Sequence, residues 1–522
     1  MIPRVNRYRI LLTLLLVARP ASVLCGQEIQ LESTRTRFRT SAEFLGVPGE
    51  DIGLLGLHYD WLEPFEDWSD LYLGVGAYVS VTGARGGFQS AGFSAGYAKE
   101  FVHDFMIDAG VYFGGAGGSG SLGEHQGMAV RAHVALERAF GLLGVRIEAA
   151  AMDVAETDIE FEDVHLSIGL TSASELLLAH ERYLDESLPE NAMVERTIRT
   201  SLRYTRLSPD SGARTSTGDR FRSDIHLAGL GLDYFLGEHL FVPFQLYGAV
   251  GGEVAGFSTA LVGLGGSYPL DREGRFRLEG TMSVGGGGGG GLDTGGGFLW
   301  EAKAALHASV TEHLGLELAA GHFDFPDGNL EGAEYSASLT WTVHPYELSL
   351  DQPRSSLETQ GLSDDDAEVR PLRVFALNKI YMPPRSAKKT NGDNISTANL
   401  LGIGIEQPIL DDFSLTASAY TAWDGAIGGY SEGLVGIAYE YFLPDSKEHS
   451  FLIRGEVGAG GGGGVDVGSG LIYSATAGYR YHVTDSVFFQ GEIGKLEADR
   501  GSFEAESWQL GIGVDLGRTY AR

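Results

Sequence analysis

"LIYSATAGYRYHVTDSVFFQGEIG" occupies Leu471–Gly494, and its reading decides the fold class. Leu471, Tyr473, Ala475, Ala477, Tyr479, Tyr481 and Val483 share one face, and Ser474, Thr476, Gly478, Arg480 and His482 share the other. Side chains of an extended chain point alternately to opposite faces, so this period of two is a strand. "VTDS" then makes a tight turn, and "VFFQGEIG" returns with Glu492 on its polar face.

The same pattern runs on in both directions. Between residues 371 and 517 about eight such segments follow one another, from "PLRVFALNKIYM" to "SWQLGIGVDLG". Segments of about 9–12 residues are longer than the usual strand and suit a tilted strand crossing a bilayer. In "FLIRGEVG", Arg454 and Glu456 oppose Phe451, Ile453 and Val457. In "RFRLEGTMSV", Arg275, Arg277 and Glu279 oppose Phe276, Leu278, Met282 and Val284. If one face lines a lumen, then Arg275, Arg277, Glu279, Arg454, Glu456, Arg480 and Glu492 are its candidate charged residues. Tyrosines near strand ends, such as Tyr479 and Tyr481, are where an interfacial aromatic girdle belongs.

A second signal is internal repetition, which must be settled before any fold is assigned. "GGGGGGGLDTGGG" places ten glycines among the thirteen positions Gly285–Gly297. Related tracts start at Gly114 and Gly458, so the starts are 171 and 173 residues apart. The openings "RTRFRTSAEF", "RTIRTSLRY" and "RPLRVFALNKIY" recur in the same order, as do "VTEHLGLELAAG" and "VTDSVFFQGEIG". The spacing predicts three β-repeats at 35–176, 197–345 and 371–517, with polar linkers at 177–196 and 346–370. "ELLLAHERYLDESLPENAMVE", which includes the first linker, has the composition of a short helix.

The tracts, represented by Gly285, Gly291, Gly297, Gly460 and Gly464, have three readings. A flexible hairpin tip explains the composition but not the recurrence. A tract that continues a strand leaves both sheet faces bare, and such a stripe would take a plug, a passing polymer or a partner protein. "GGGGLD" and "GGGGVD" also resemble the start of a calcium nonapeptide, but Gly295 and Gly468 stand where that motif needs a large apolar residue. Asp293 and Asp466 are more simply turn residues.

The chain begins "MIPRVNRYRILLTLLLVARPASVLCGQ", a basic end followed by an apolar run too short to span a bilayer, which predicts a signal peptide over residues 1–26. Cys25 is the only cysteine, so no disulfide framework or cysteine-based zinc site is expected. Leu24 precedes it where lipoprotein signals carry a small residue, which favours cleavage beside Cys25 or Gly26 over lipidation. The net charge is −32, and loss of Arg4, Arg7, Arg9 and Arg19 with the leader takes it to −36. That balance speaks against nucleic-acid binding. No G-x-S-x-G, H-E-x-x-H or P-loop pattern occurs, and no metal-ligand spacing among the histidines, so neither an enzyme, a metal site nor a cofactor is expected.

"AGYRYHVTDSVFFQGEIG", an amphipathic strand ending in aromatics with a tight turn and a Gly-Glu return, resembles Gram-negative outer-membrane β-barrel proteins as a class. The resemblance implies an all-β, antiparallel transmembrane barrel in the outer membrane, with membrane lipid and the barrel-assembly machinery as partners. Such barrels usually end on Phe or Trp, whereas this chain ends "LGRTYAR". A single large barrel of three eight-stranded repeats is favoured over three small ones, because the inner faces carry many glycines and few bulky groups. The expected function is a pore or conduit, with a preference for cations suggested by the acidic excess. A closed structural or interaction barrel, or a secreted adhesin-like repeat protein, is the alternative.

Overall fold

The computed structural model describes residues 32–521 apart from 48–49, 63–69, 84, 103, 119–126, 142, 156–163, 179–192, 349–366, 411, 426, 444–445 and 485. The predicted signal peptide, Cys25 and most of both linkers lie outside the described residues, and the two described ends of the stretch with helix composition, 175–178 and Met193–Glu195, are strand. Every described regular element is a strand. Twenty-four of them are long, and within each repeat they follow one another in sequence order, each paired antiparallel to the next.

Closure occurs three times. The first strand, Glu32–Val47, pairs with the eighth, His165–Leu178, from Glu32↔Leu178 to Glu43↔Ser167. In the second repeat Ile198–Pro209 pairs with Glu331–Val343, from Ile198↔Val343 to Pro209↔Gly332. In the third, Ala367–Met382 pairs with Glu504–Ala521 along sixteen positions. These ladders close three eight-stranded barrels, here barrels 1, 2 and 3, and not the single ring of about 24 strands favoured from the sequence. Two strands of three residues, Met193–Glu195 and Tyr346–Leu348, pair with each other at the linker ends, and Glu347 reaches Leu176 of barrel 1.

The inner glycines leave no empty space, for a packing reason. These glycines are notches that receive large side chains from adjacent strands. A Cβ on Gly96 would lie 2.6 Å from the Tyr72 hydroxyl, and one on Gly513 would lie 2.6 Å from Phe375 Cβ. Gly404 and Gly265 are occupied in the same way by the rings of Phe375 and Phe241. A small barrel is thereby filled without a bulky residue at every inward position.

Outside, the polarity reverses. Leu166 in barrel 1, Leu264 in barrel 2 and Leu510 in barrel 3 are 72, 67 and 69 % exposed. They belong to outward rows of Leu, Ile, Val and aromatic residues, with Phe140, Tyr268 and Tyr441 near the short-turn ends. Loops are longer at the opposite end, where 210–224 and 383–397 connect the first two strands of barrels 2 and 3.

Candidate functional site: filled lumens and a glycine junction

The inward rows bring charged side chains together across each barrel. In barrel 1, Arg37 contacts Asp60 at 2.9 Å, Asp108 at 2.6 Å and Glu137 at 3.3 Å. Arg146 joins Asp108 at 3.0 Å and Glu148 at 2.8 Å, and Arg131 binds Glu43 at 2.9 Å. In barrel 2, Arg199 contacts Asp233 at 2.9 Å and Glu279 at 2.6 Å, Arg203 contacts Glu317 at 3.1 Å, and Lys303 contacts Glu301 at 2.6 Å. In barrel 3, Glu406 accepts from Arg454 at 2.5 Å and Arg480 at 2.8 Å, while Arg373 binds Glu440 at 2.5 Å. Arg454 and Arg480 are fully buried. A buried charge is costly unless paired, and each Arg and Lys named here has a carboxylate partner within its own repeat.

Above these networks the mouths are apolar. Loop residues Ala213, Val254, Leu292 and Phe325 are buried in one cluster with strands of barrel 2. Ala387, Ile395, Ile427, Val465 and Phe503 do the same in barrel 3. Each of these lumens is thus ionic in its body and apolar at the loop end.

Five of the seven charged lumen candidates, Glu279, Arg454, Glu456, Arg480 and Glu492, are buried inside their barrels. Two are corrected. Arg275 precedes the strand Phe276–Gly288 and pairs with Glu273 in the exposed turn, so its alternation is continuous with the strand but its side chain lies beyond the wall. Arg277 sits at the rim, donating to Ser267 Oγ at 2.7 Å and the Glu238 carbonyl at 2.8 Å. Sequence reading missed the first-strand cations Arg37, Arg199, Arg373 and Lys379. The same alternation in "RTRFRT" carries that signal.

The glycine tracts are ordered. Gly285–Gly288 complete the fifth strand of barrel 2, with Gly285 facing inward against Ala260, and Gly289–Gly291 turn with positive φ. Gly291 (φ +72°) and Gly464 (φ +68°) are equivalent, and their carbonyls accept hydrogen bonds from Ser216 N and Thr390 N at 2.8 Å. Gly460 faces inward, where a Cβ would lie 2.8 Å from the Tyr430 hydroxyl. Asp293 and Asp466 are turn residues, each accepting from the amide two positions on, at 3.4 Å. Among the described residues no cluster of His, Cys, Asp and Glu is placed to hold a metal.

What the outward glycines of the tracts meet is another barrel. A Cβ on Gly115 of barrel 1 would fall against Thr421 of barrel 3 and 2.7 Å from the Ala422 carbonyl. A Cβ on Gly286 of barrel 2 would lie 2.6 Å from Val79 Cγ2 of barrel 1. At the third junction the small partner is on the other side: a Cβ on Gly248 of barrel 2 would lie 2.7 Å from Ala459 Cβ of barrel 3. The fifth strand of each barrel therefore packs on the third strand of the next, and three such head-to-tail contacts close a ring. The first residues of the three fourth strands meet: Gln89 accepts from Ser258 at 3.1 Å and donates to Ser431 at 3.4 Å. Gly297 (φ +92°) approaches Ser80 of the neighbouring barrel, and the Gly86 amide donates to the Gly295 carbonyl at 2.9 Å. Only glycine permits such backbone approach. The stripes expected to be bare for a plug or partner protein are covered by the next barrel. A signal for this was present in "GFQ", "GFS" and "GYS" at 87–89, 256–258 and 429–431.

An ionic interior inside an apolar jacket inverts the order of a soluble protein, and closed ladders leave no strand edge unpaired in lipid. The fold and lumens thus define an integral β-barrel protein of the outer-membrane class. Within that class, this chain is three barrels docked in a pseudo-threefold ring. No protein-family model matches it, and no curated protein does. Solved structures similar to it include the ferric enterobactin receptor PfeA of Pseudomonas aeruginosa in complex with enterobactin, at 9 % identity and TM-score 0.30, covering 94 % of this chain and 82 % of that one. The siderophore receptor PirA of Acinetobacter baumannii gives 10 % and 0.28, with 94 and 81 % covered. OccK11 of P. aeruginosa gives 10 % and 0.22, with 94 and 99 % covered.

Proposed function

We propose that this protein is an outer-membrane platform of three barrels whose lumens are shut at rest, held as one body by the glycine junctions. Membrane lipid surrounds the apolar jacket, and the barrel-assembly machinery inserts the chain. The observation that carries this reading is the packing of the lumens by buried ion pairs such as Arg480–Glu406 and Arg199–Glu279. An aqueous pathway needs water where these side chains stand.

The conduit reading keeps one specific support. The bodies of the lumens hold many charged groups, so a rearrangement that parts the pairs is readily hydrated there, and the acidic excess of the chain would favour cations. The purified protein in a planar bilayer distinguishes the two. The expected result at neutral pH is no ohmic conductance above background. A stable, cation-preferring conductance under the same conditions overturns the closed reading.

A further inference from the structure

Barrel 1 departs from its two relatives in two independent ways. Its first and second strands stay paired as far as Val47↔Glu50, whereas barrels 2 and 3 carry the loops 210–224 and 383–397 there, with Ala213 and Ala387 buried in the mouth clusters. Its lumen also holds three of the four buried histidines among the described residues, His58, His133 and His165, the fourth being His307 of barrel 2.

The three are not alike. His133 Nε2 lies 2.8 Å from Asp108 and His165 Nε2 lies 2.6 Å from Glu43, so each of these rings faces a carboxylate. His58 has no hydrogen-bond partner on either ring nitrogen. It stands across from Arg39 of the first strand and Gly76 of the third, with the rings of Tyr78 and Tyr112 at 5.0 and 5.9 Å. The Arg131 guanidinium lies over the ring of Tyr78, 5.4 Å from its centroid. The carboxylates around it are already engaged. Asp60 on its own strand binds Arg37 and Arg39, Glu43 and Glu148 bind Arg131, and Asp108 binds Arg37 and Arg146. The fourth strand contributes only the hydroxyls of Ser90 and Ser94 to the lumen there.

An imidazolium at His58 would therefore stand between two guanidiniums, with each neighbouring carboxylate already paired to an arginine. Resting on the reading of the lumens as shut, we propose that barrel 1 is an acid-opened unit with His58 as its trigger, while barrels 2 and 3 stay closed as its buttress. Histidine titrates near pH 6.5 in water, so acid favours any state in which water reaches this ring. Hydration of the lumen supplies both missing hydrogen bonds and screens the added cation from Arg39 and Arg131. That state is an open or wetted barrel 1.

The test is single-channel recording of the full chain in planar bilayers at about pH 7.5 and about pH 5, on either side of histidine titration. Silence at the higher pH and discrete openings at the lower, at least tenfold more frequent, are expected. His58→Phe fits the aromatic surround and carries no proton, and should lower the acid openings at least tenfold. His58→Gln guards against a failure of the phenylalanine variant to insert, and should do the same. His307→Gln in barrel 2 should leave them unchanged. Silence at both pH values overturns the trigger but leaves the closed reading standing, whereas conductance at the higher pH overturns the closed reading itself. Acid openings that survive both His58 substitutions, or that vanish with His307→Gln, also overturn the proposal.

Discussion

Glu406→Ala is expected to unfold barrel 3 at markedly lower temperature or denaturant than the parent protein, with a loss of about 3–5 kcal/mol. Glu406 is fully buried and accepts from Arg480 at 2.8 and 3.0 Å and from Arg454 at 2.5 Å, with Arg373 3.6 Å away. Removing it leaves three guanidiniums facing one another. Glu440, Glu492, Asp515 and the nearby Glu456 then remain to answer them. Breaking one side of a buried pair is far more costly than replacing the whole pair by apolar groups, because the remaining charge has no solvent. Glu406→Gln keeps the volume and one acceptor, and should lose less than the alanine variant. The measurement is the temperature at which the protein in detergent changes from compact to unfolded migration on a gel. Because each ionic network closes within its own repeat, proteolysis at the midpoint should release barrel 3 fragments while barrels 1 and 2 stay protected. Equal stability of Glu406→Ala and parent would show that the lumen pairs are not what holds the barrel.

The second large effect concerns the ring and not the barrels. Gly115→Ala places a methyl group against Thr421 and within 2.7 Å of the Ala422 carbonyl, closer than such atoms approach without a shift. Overpacking of this kind costs about 1–3 kcal/mol, which is a factor of roughly 5–150 in an equilibrium. It falls on the contact between barrels 1 and 3, since each barrel's ladder is closed elsewhere. Gln89→Cys with Ser431→Cys reports that contact, through reaction with a short bismaleimide across the axis. The expected result is a crosslink yield at least fivefold lower in the Gly115→Ala background, with each barrel's heat stability retained. Adding Thr421→Gly should restore the yield, because Ala459 opposite Gly248 already shows that arrangement at another junction. Loss of yield that the second substitution fails to restore would mean that Gly115 acts inside barrel 1 and not between barrels.

Which parts of this were legible in the sequence follows from the physics of strands. Alternation is local, so the inward placement of Glu279, Arg454, Glu456, Arg480 and Glu492 could be read directly from residue parity. The wall's end is not local. Parity alone continued the inner face to Arg275, although the strand begins at Phe276. Closure is less local still, since pairing Glu43 with Ser167 joins residues 124 apart, and nothing in a period-two pattern says which distant strand is chosen. The inner glycines pointed the wrong way because their neighbours' rings were not counted: Phe375 fills the space at Gly404, and Tyr72 that at Gly96 and Gly110. The recurrence of the glycine tracts was legible, and so was the idea of close backbone approach. That the approaching backbone belongs to the next repeat of the same chain depends on three interfaces closing together, which no single copy encodes.

The central claim, three closed barrels in one chain, is tested most directly by cysteine pairs on the outer face of each closing ladder. Thr40 faces Leu170, Leu202 faces Leu339, and Ala376 faces Ile512. Cys25 is the only natural cysteine, so each double variant reports one contact. The structure predicts that Thr40→Cys with Leu170→Cys, Leu202→Cys with Leu339→Cys, and Ala376→Cys with Ile512→Cys each form a disulfide in the membrane-inserted protein. Failure of all three, with Leu170→Cys joining Leu202→Cys across the first linker instead, would contradict the account and restore the single large barrel.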